Sequence, residues 1–185
     1  MSHPQTTESQ DQLWVFAYGS LIWNPGFAYT QSQAATVYGY HRSLCIYSHV
    51  HRGTPERPGL VLGLDRGGLC RGLAYAVAPE QQAATIAYLR AREQVTMVYR
   101  ETTLMLHLAD GQRIKGLAYV ADRSNPQYAG RLPPYDQLRL VQQGQGQSGP
   151  NPDYVRATAE HLTKMNIRDK TLEWLVDKLV CTPQS

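Results

Sequence analysis

Charge is sparse in this sequence. Asp, Glu, Lys and Arg make up 18% of its 185 residues, and the net charge is only +3 with histidine neutral. So small a basic excess suits a small anionic substrate and offers no footprint for nucleic acid. Cysteine is scarcer still: Cys45, Cys70 and Cys181 are odd in number, and none falls in a C-x-x-C pair. That usage predicts free thiols in a reducing, cytoplasmic setting. Apolar runs stay far below the length of a membrane span, and Met1 to Gln12 is polar without a basic start. The expectation is therefore a loose polar tail, no membrane segment, and one domain over residues 13–182. The G-x-x-x-x-G-K-[ST], G-x-S-x-G and H-E-x-x-H signatures do not occur, which argues against the common nucleotide and zinc enzymes. His49 and His51, one residue apart, would share a strand face, but no third ligand lies close to them, so no metal is expected.

What is present alternates between two periods. Leu13 to Ala17 is a short apolar run stopped by Tyr18-Gly19-Ser20, which reads as a buried strand ending in a turn. Thr36 to Tyr47, Leu60 to Leu64, Cys70 to Val77, Thr102 to Leu108 and Arg113 to Val120 are rich in Val, Leu, Tyr and Thr and read as further strands. Asp110-Gly111 supplies a hairpin turn between the last two. Pro79 to Glu93 switches to helical spacing through Ala83, Ile86, Ala87, Leu89 and Arg90. In the last third, Asp136 to Gln143 predicts a short helix closed by Gly144, Asn151 predicts a cap for a second, and Asp169 starts a third whose Leu172, Leu175, Val176 and Leu179 form one stripe. Strands, one inserted helix and a helical tail predict an α+β fold, a small curled sheet or barrel with helices packed outside.

Three features bear on chemistry. A strand that ends in a Gly-containing turn, as at Ala17 to Trp23, can aim successive N–H groups at an anion, although an ordinary strand-end turn has the same pattern. Glu93 falls four residues after Leu89 and seven after Ile86, on a stripe that faces the core. Burial there would raise its pKa into the range useful for proton transfer; the competing reading is an ion pair with Arg90 or Arg92. The His51 to Gly59 loop, dense in turn formers and cations, either covers a site or connects strands.

Taken together, Trp14 to Trp23, His51 to Pro55 with Pro58-Gly59, Arg71 to Tyr75, Tyr88 to Glu93, Asn125 to Gly130 and Gly149 to Tyr154 resemble, in order, the motifs of the ChaC-type glutathione-specific γ-glutamylcyclotransferases. The resemblance spans nearly the whole chain. It implies a small mixed β-barrel of the γ-glutamylcyclotransferase type and a cofactor-independent lyase that releases 5-oxoproline and Cys-Gly from glutathione. By motif match, Glu93 would be the acid/base. Tyr18, Gly19, Ser20, Leu21 and Ile22 would form the loop that holds the γ-glutamyl end, with Tyr128 also contacting substrate; Tyr154 matches a family position as well. The alternatives are a cyclotransferase for other γ-glutamyl amines or amino acids and a non-catalytic glutathione-binding module. A monomer is expected, with a homodimer left open.

Overall fold

The computed structural model describes residues 12–180. Met1 to Asp11 and Cys181 lie outside the described residues, and so does most of the expected tail. Five strands close into a barrel: β1 (Leu13–Ala17), β2 (Gln31–Ser48), β3 (Gly59–Val77), β4 (Tyr99–Leu108) and β5 (Arg113–Ala121), in the order β1-β3-β2-β4-β5. Antiparallel pairs run around the barrel until β1 and β5, whose parallel pairing at Val15 and Leu117 closes it. Closure removes the free sheet edges. Val15, Phe16, Leu60, Leu64 and Leu106 are fully buried, and truncating a core aromatic such as Phe16 costs about 3–5 kcal/mol.

The two segments expected at Leu60 to Leu64 and Cys70 to Val77 are one strand. Gly67-Gly68 looks like a break, but both residues have positive φ and lie where the register with β2 shifts, close to Gly39, which also has positive φ. All three positions need glycine's left-handed freedom. The result is a bulge that lets a long β2–β3 hairpin bend while staying paired. The Asp110-Gly111 hairpin forms as expected between β4 and β5.

Helix α1 (Gln82–Gln94) is inserted between β3 and β4, preceded by a 3-10 turn opened by Pro79. Helices α2 (Pro134–Gln143), α3 (Asn151–Lys164) and α4 (Lys170–Val180) pack against one another, and α2 and α3 also pack on β3. Helix α3 ends in a Schellman turn, with Asn166 at positive φ and the Ile167 N–H returning to the Leu162 carbonyl at 2.9 Å. Asp169 caps α4 through the Leu172 N–H at 3.1 Å, and Leu172, Leu175 and Leu179 are buried. Asn151 departs from expectation. Pro150 holds the cap position, and the Asn151 side chain turns away to β3, accepting from the Leu60 N–H (2.6 Å) and donating to the Leu60 carbonyl (3.0 Å). One turn later the Tyr154 hydroxyl accepts from the Leu62 N–H at 3.1 Å. Side chains of α3 thereby pair backbone groups of β3 that would otherwise be buried without partners. No helix among the described residues is long and apolar enough to cross a membrane.

Candidate active site

A cavity of about 520 Å³ opens where β1 ends, walled by the turn after β1, by α1, and by the loops after β2 and after α2. Its size is that of a small-molecule site. The turn comes from the sequence Tyr18-Gly19-Ser20: the chain leaves β1, passes Gly19 and winds into a 3-10 turn over Ser20–Ile22. The N–H groups that open such a turn have no acceptor within it. Its outer shell is fixed from three sides. Arg42 Nε donates to the Tyr18 carbonyl at 2.6 Å, the Tyr75 hydroxyl lies 3.1 and 2.9 Å from the Leu21 and Ile22 carbonyls, and Arg92 Nη2 donates to Ser20 Oγ at 2.8 Å.

Glu93 enters from the last turn of α1. Leu89 and Thr85, four and eight residues earlier, are fully or almost fully buried, so the inner stripe of the helix carries Glu93 into the cavity wall. The apolar spacing overstated that stripe: Ile86 is half-buried, and Ala83 and Ala87 are exposed. Burial pushes the Glu93 carboxyl up to about 7, with the Arg92 charge acting the other way. Neither expected ion pair forms. Arg90 makes a bidentate pair with Glu101 at 2.8 and 2.9 Å, while Arg92 donates to Ser20 Oγ, the Asn24 carbonyl and the Tyr88 hydroxyl. Among the described residues the Glu93 carboxylate has no hydrogen-bond or ion-pair partner, so its lone pairs face the cavity. Tyr18, Tyr99 and Tyr119 surround it closely enough that its charge, after their own burial, helps raise their pKa values. Such a carboxyl can take and return a proton near neutral pH.

A second guanidinium, Arg52, joins Arg92 in the lining. His51 and Arg52, from the loop after β2, line the cavity with Ser148 from the loop after α2. The two loops lock backbone to backbone, the Gln147 and Ser148 N–H groups reaching the Val50 and His51 carbonyls at 2.8 and 2.9 Å. A Cβ at Gly53 would lie 2.1 Å from the Gly59 nitrogen, and one at Gly146 would lie 2.3 Å from the Val50 carbonyl. This loop thus contributes His51 and Arg52 to the cavity lining. Gly144 to Gly149 has G-x-G-x-x-G spacing, yet it follows a helix rather than a strand, and its glycines serve this packing instead of a dinucleotide.

Of the residues expected at the site, Glu93, Tyr18, Gly19, Ser20 and Leu21 line the cavity together. Ile22 lies just behind the wall, buried. Tyr128 is elsewhere. It faces a second cavity of about 490 Å³, where its hydroxyl donates to Asp65 Oδ2 at 2.8 Å and Asp65 pairs with Arg123 at 2.7 Å. His51 reaches the first cavity and His49 does not. Arg92, Tyr99 and Tyr119 are cavity residues that sequence reasoning did not assign.

Fold and site together define a closed-barrel protein with a largely buried carboxyl of raised pKa in a cavity of small-molecule size. The chain belongs to the ChaC-like protein family, whose model matches residues 13–181. It is 36% identical over 180 residues to the human glutathione-specific γ-glutamylcyclotransferase 1, covering 94% of this chain and 81% of that one. Against the Escherichia coli glutathione-specific γ-glutamylcyclotransferase it is 32% identical over 164 residues, covering 89% and 71%. The crystal structure of a yeast γ-glutamylcyclotransferase specific to glutathione superposes with a TM-score of 0.82 at 23% identity, over 92% of this chain and 96% of that one. This last likeness bears on the fold.

Proposed function

We propose that the chain is a glutathione-specific γ-glutamylcyclotransferase with Glu93 as its acid/base. The observation that carries this reading is an unpaired carboxyl raised to about 7 beside a polar turn in a cationic cavity. In the reaction, the α-nitrogen of the γ-glutamyl group attacks its own γ-carbonyl, and the bond to the cysteinyl nitrogen breaks. The products are 5-oxoproline and Cys-Gly. Because nucleophile and electrophile share one molecule, holding the chain folded supplies much of the rate without a cofactor. Over the whole reaction two protons leave the α-ammonium and two arrive on the departing nitrogen. One carboxyl alternating between its two states balances that traffic. The N–H groups that open the Ser20–Ile22 turn, with Arg92 beside them, are the partners for the substrate α-carboxylate. Tyr18, Gly19, Ser20 and Leu21 shape that pocket, and Ile22 supports it from behind.

Cys45 and Cys70 are both free and buried, which supports a reducing, cytoplasmic setting. The test is product analysis: incubation with glutathione yields equimolar 5-oxoproline and Cys-Gly. Release of free glutamate in place of 5-oxoproline would mean hydrolysis and would overturn the reading.

A further inference from the structure

Resting on the reading above, the cavity also bears on which γ-glutamyl compounds it takes. Glutathione carries two carboxylates, one on the γ-glutamyl α-carbon and one at the glycyl end. The cavity carries two guanidiniums, Arg92 and Arg52. Among the described residues neither forms an ion pair with an acid, whereas Arg42, Arg90 and Arg123 each pair with an Asp or Glu. Both are nonetheless fixed by neutral partners. Arg92 belongs to α1 and is tied to Ser20 and Asn24, the end of the cavity that holds Glu93. Arg52 belongs to the loop after β2. Its Nη1 donates to the Pro150 carbonyl at 3.1 Å, and its guanidinium lies 5.6 Å over the Tyr154 ring.

A guanidinium has five N–H donors, so one bond to a carbonyl and an aromatic face beneath leave Arg52 oriented with donors to spare. Asp153, the acid whose charge reaches it, is bonded to Arg156 instead, at 3.4 Å. His51 stands alongside, its Nδ1 3.0 Å from Ser148 Oγ. Burial and the nearby Arg92 and Arg52 charges hold its pKa below the usual histidine range, and all three side chains line the same cavity. The two arginines thus come from different elements and are held by different partners, Arg92 by Ser20 and Asn24 and Arg52 by Pro150 and Tyr154.

We infer that Arg52, flanked by His51 and Ser148, receives the glycyl carboxylate and so selects the γ-glutamyl tripeptide over shorter or uncharged γ-glutamyl amines. A planar, pre-oriented fork suits a carboxylate better than a lysine ammonium does.

The experiment compares glutathione with glutathione whose glycyl carboxylate is capped as the amide, on wild type, Arg52→Gln and Arg52→Lys. The readout is the ratio of the two kcat/KM values within each preparation, from which any misfolded fraction cancels. Loss of one charge-assisted pair predicts a wild-type preference of about tenfold to a hundredfold for the acid, carried mainly by KM. Arg52→Gln brings the ratio close to one, and Arg52→Lys retains part of it. A wild type that does not distinguish the two compounds, or an Arg52→Gln ratio equal to wild type, overturns the inference. If Arg52→Gln has no activity on either compound, the wild-type and Arg52→Lys ratios decide on the same terms. Turnover of neither compound by the wild type would instead refute the cyclotransferase reading itself.

Discussion

Replacing Glu93 by Gln should make the protein more stable at alkaline pH while removing its proposed chemistry. Burial lifts the carboxyl from 4.5 to about 7 in the folded protein, so the native state holds this proton more tightly than the unfolded chain does. Stability from this group is fully present below pH 4.5. It is lost as pH rises through about 7, where the folded protein must carry a desolvated charge. Each pH unit of separation is worth about 1.4 kcal/mol, so the loss is about 3 kcal/mol. The uncharged amide fills the same space without that cost. Urea denaturation of wild type and Glu93→Gln at pH 4 and pH 8 measures the difference. The two proteins should have similar stabilities at pH 4, and the variant should be more stable by about 3 kcal/mol at pH 8, with unchanged m-values. A difference that does not vary with pH, or a variant that is the weaker at pH 8, would refute the claim that Glu93 is held desolvated. A gain of this kind is expected where a site is built for activity at the expense of stability.

Arg92 lowers the Glu93 pKa, so Arg92→Gln should move the acid limb of the kcat/KM profile upward from about 7; a limb that stays or moves down contradicts the electrostatic coupling. Asn151→Leu strips partners from both the N–H and the carbonyl of buried Leu60. Urea denaturation should show a loss of about 2–6 kcal/mol, since each of the two orphaned backbone groups costs about 1–3 kcal/mol. A loss under about 1 kcal/mol would mean that water or a shifted helix takes over both bonds.

Local signals made much of the architecture readable. The β4–β5 hairpin, the proline-opened α1 and the stripe of α4 each rest on residues close in sequence, and each forms as expected. The reading failed where one residue type serves two purposes. Gly67-Gly68 can end a strand or bulge within it, and only the matching irregularity at Gly39 on β2 decides. Asn151 can cap a helix or mimic a strand, and the Leu60 backbone groups of β3, 91 residues earlier, decide. Within the site, Glu93 was legible because its helix ranks it with Leu89. Arg92 and Tyr99 flank that helix end, but their convergence with Arg52 and Tyr119 is a tertiary fact that no spacing encodes. Tyr128 shows the converse, a motif residue whose bonds lie with Asp65 at the second cavity.

Turnover of glutathione by Glu93→Gln, measured as 5-oxoproline released at neutral pH against wild type, tests the proton-shuttle assignment most directly. A positioned acid/base is worth about a hundredfold or more, so the variant should fall by at least that factor while remaining folded. An undiminished rate from the folded variant would contradict the assignment.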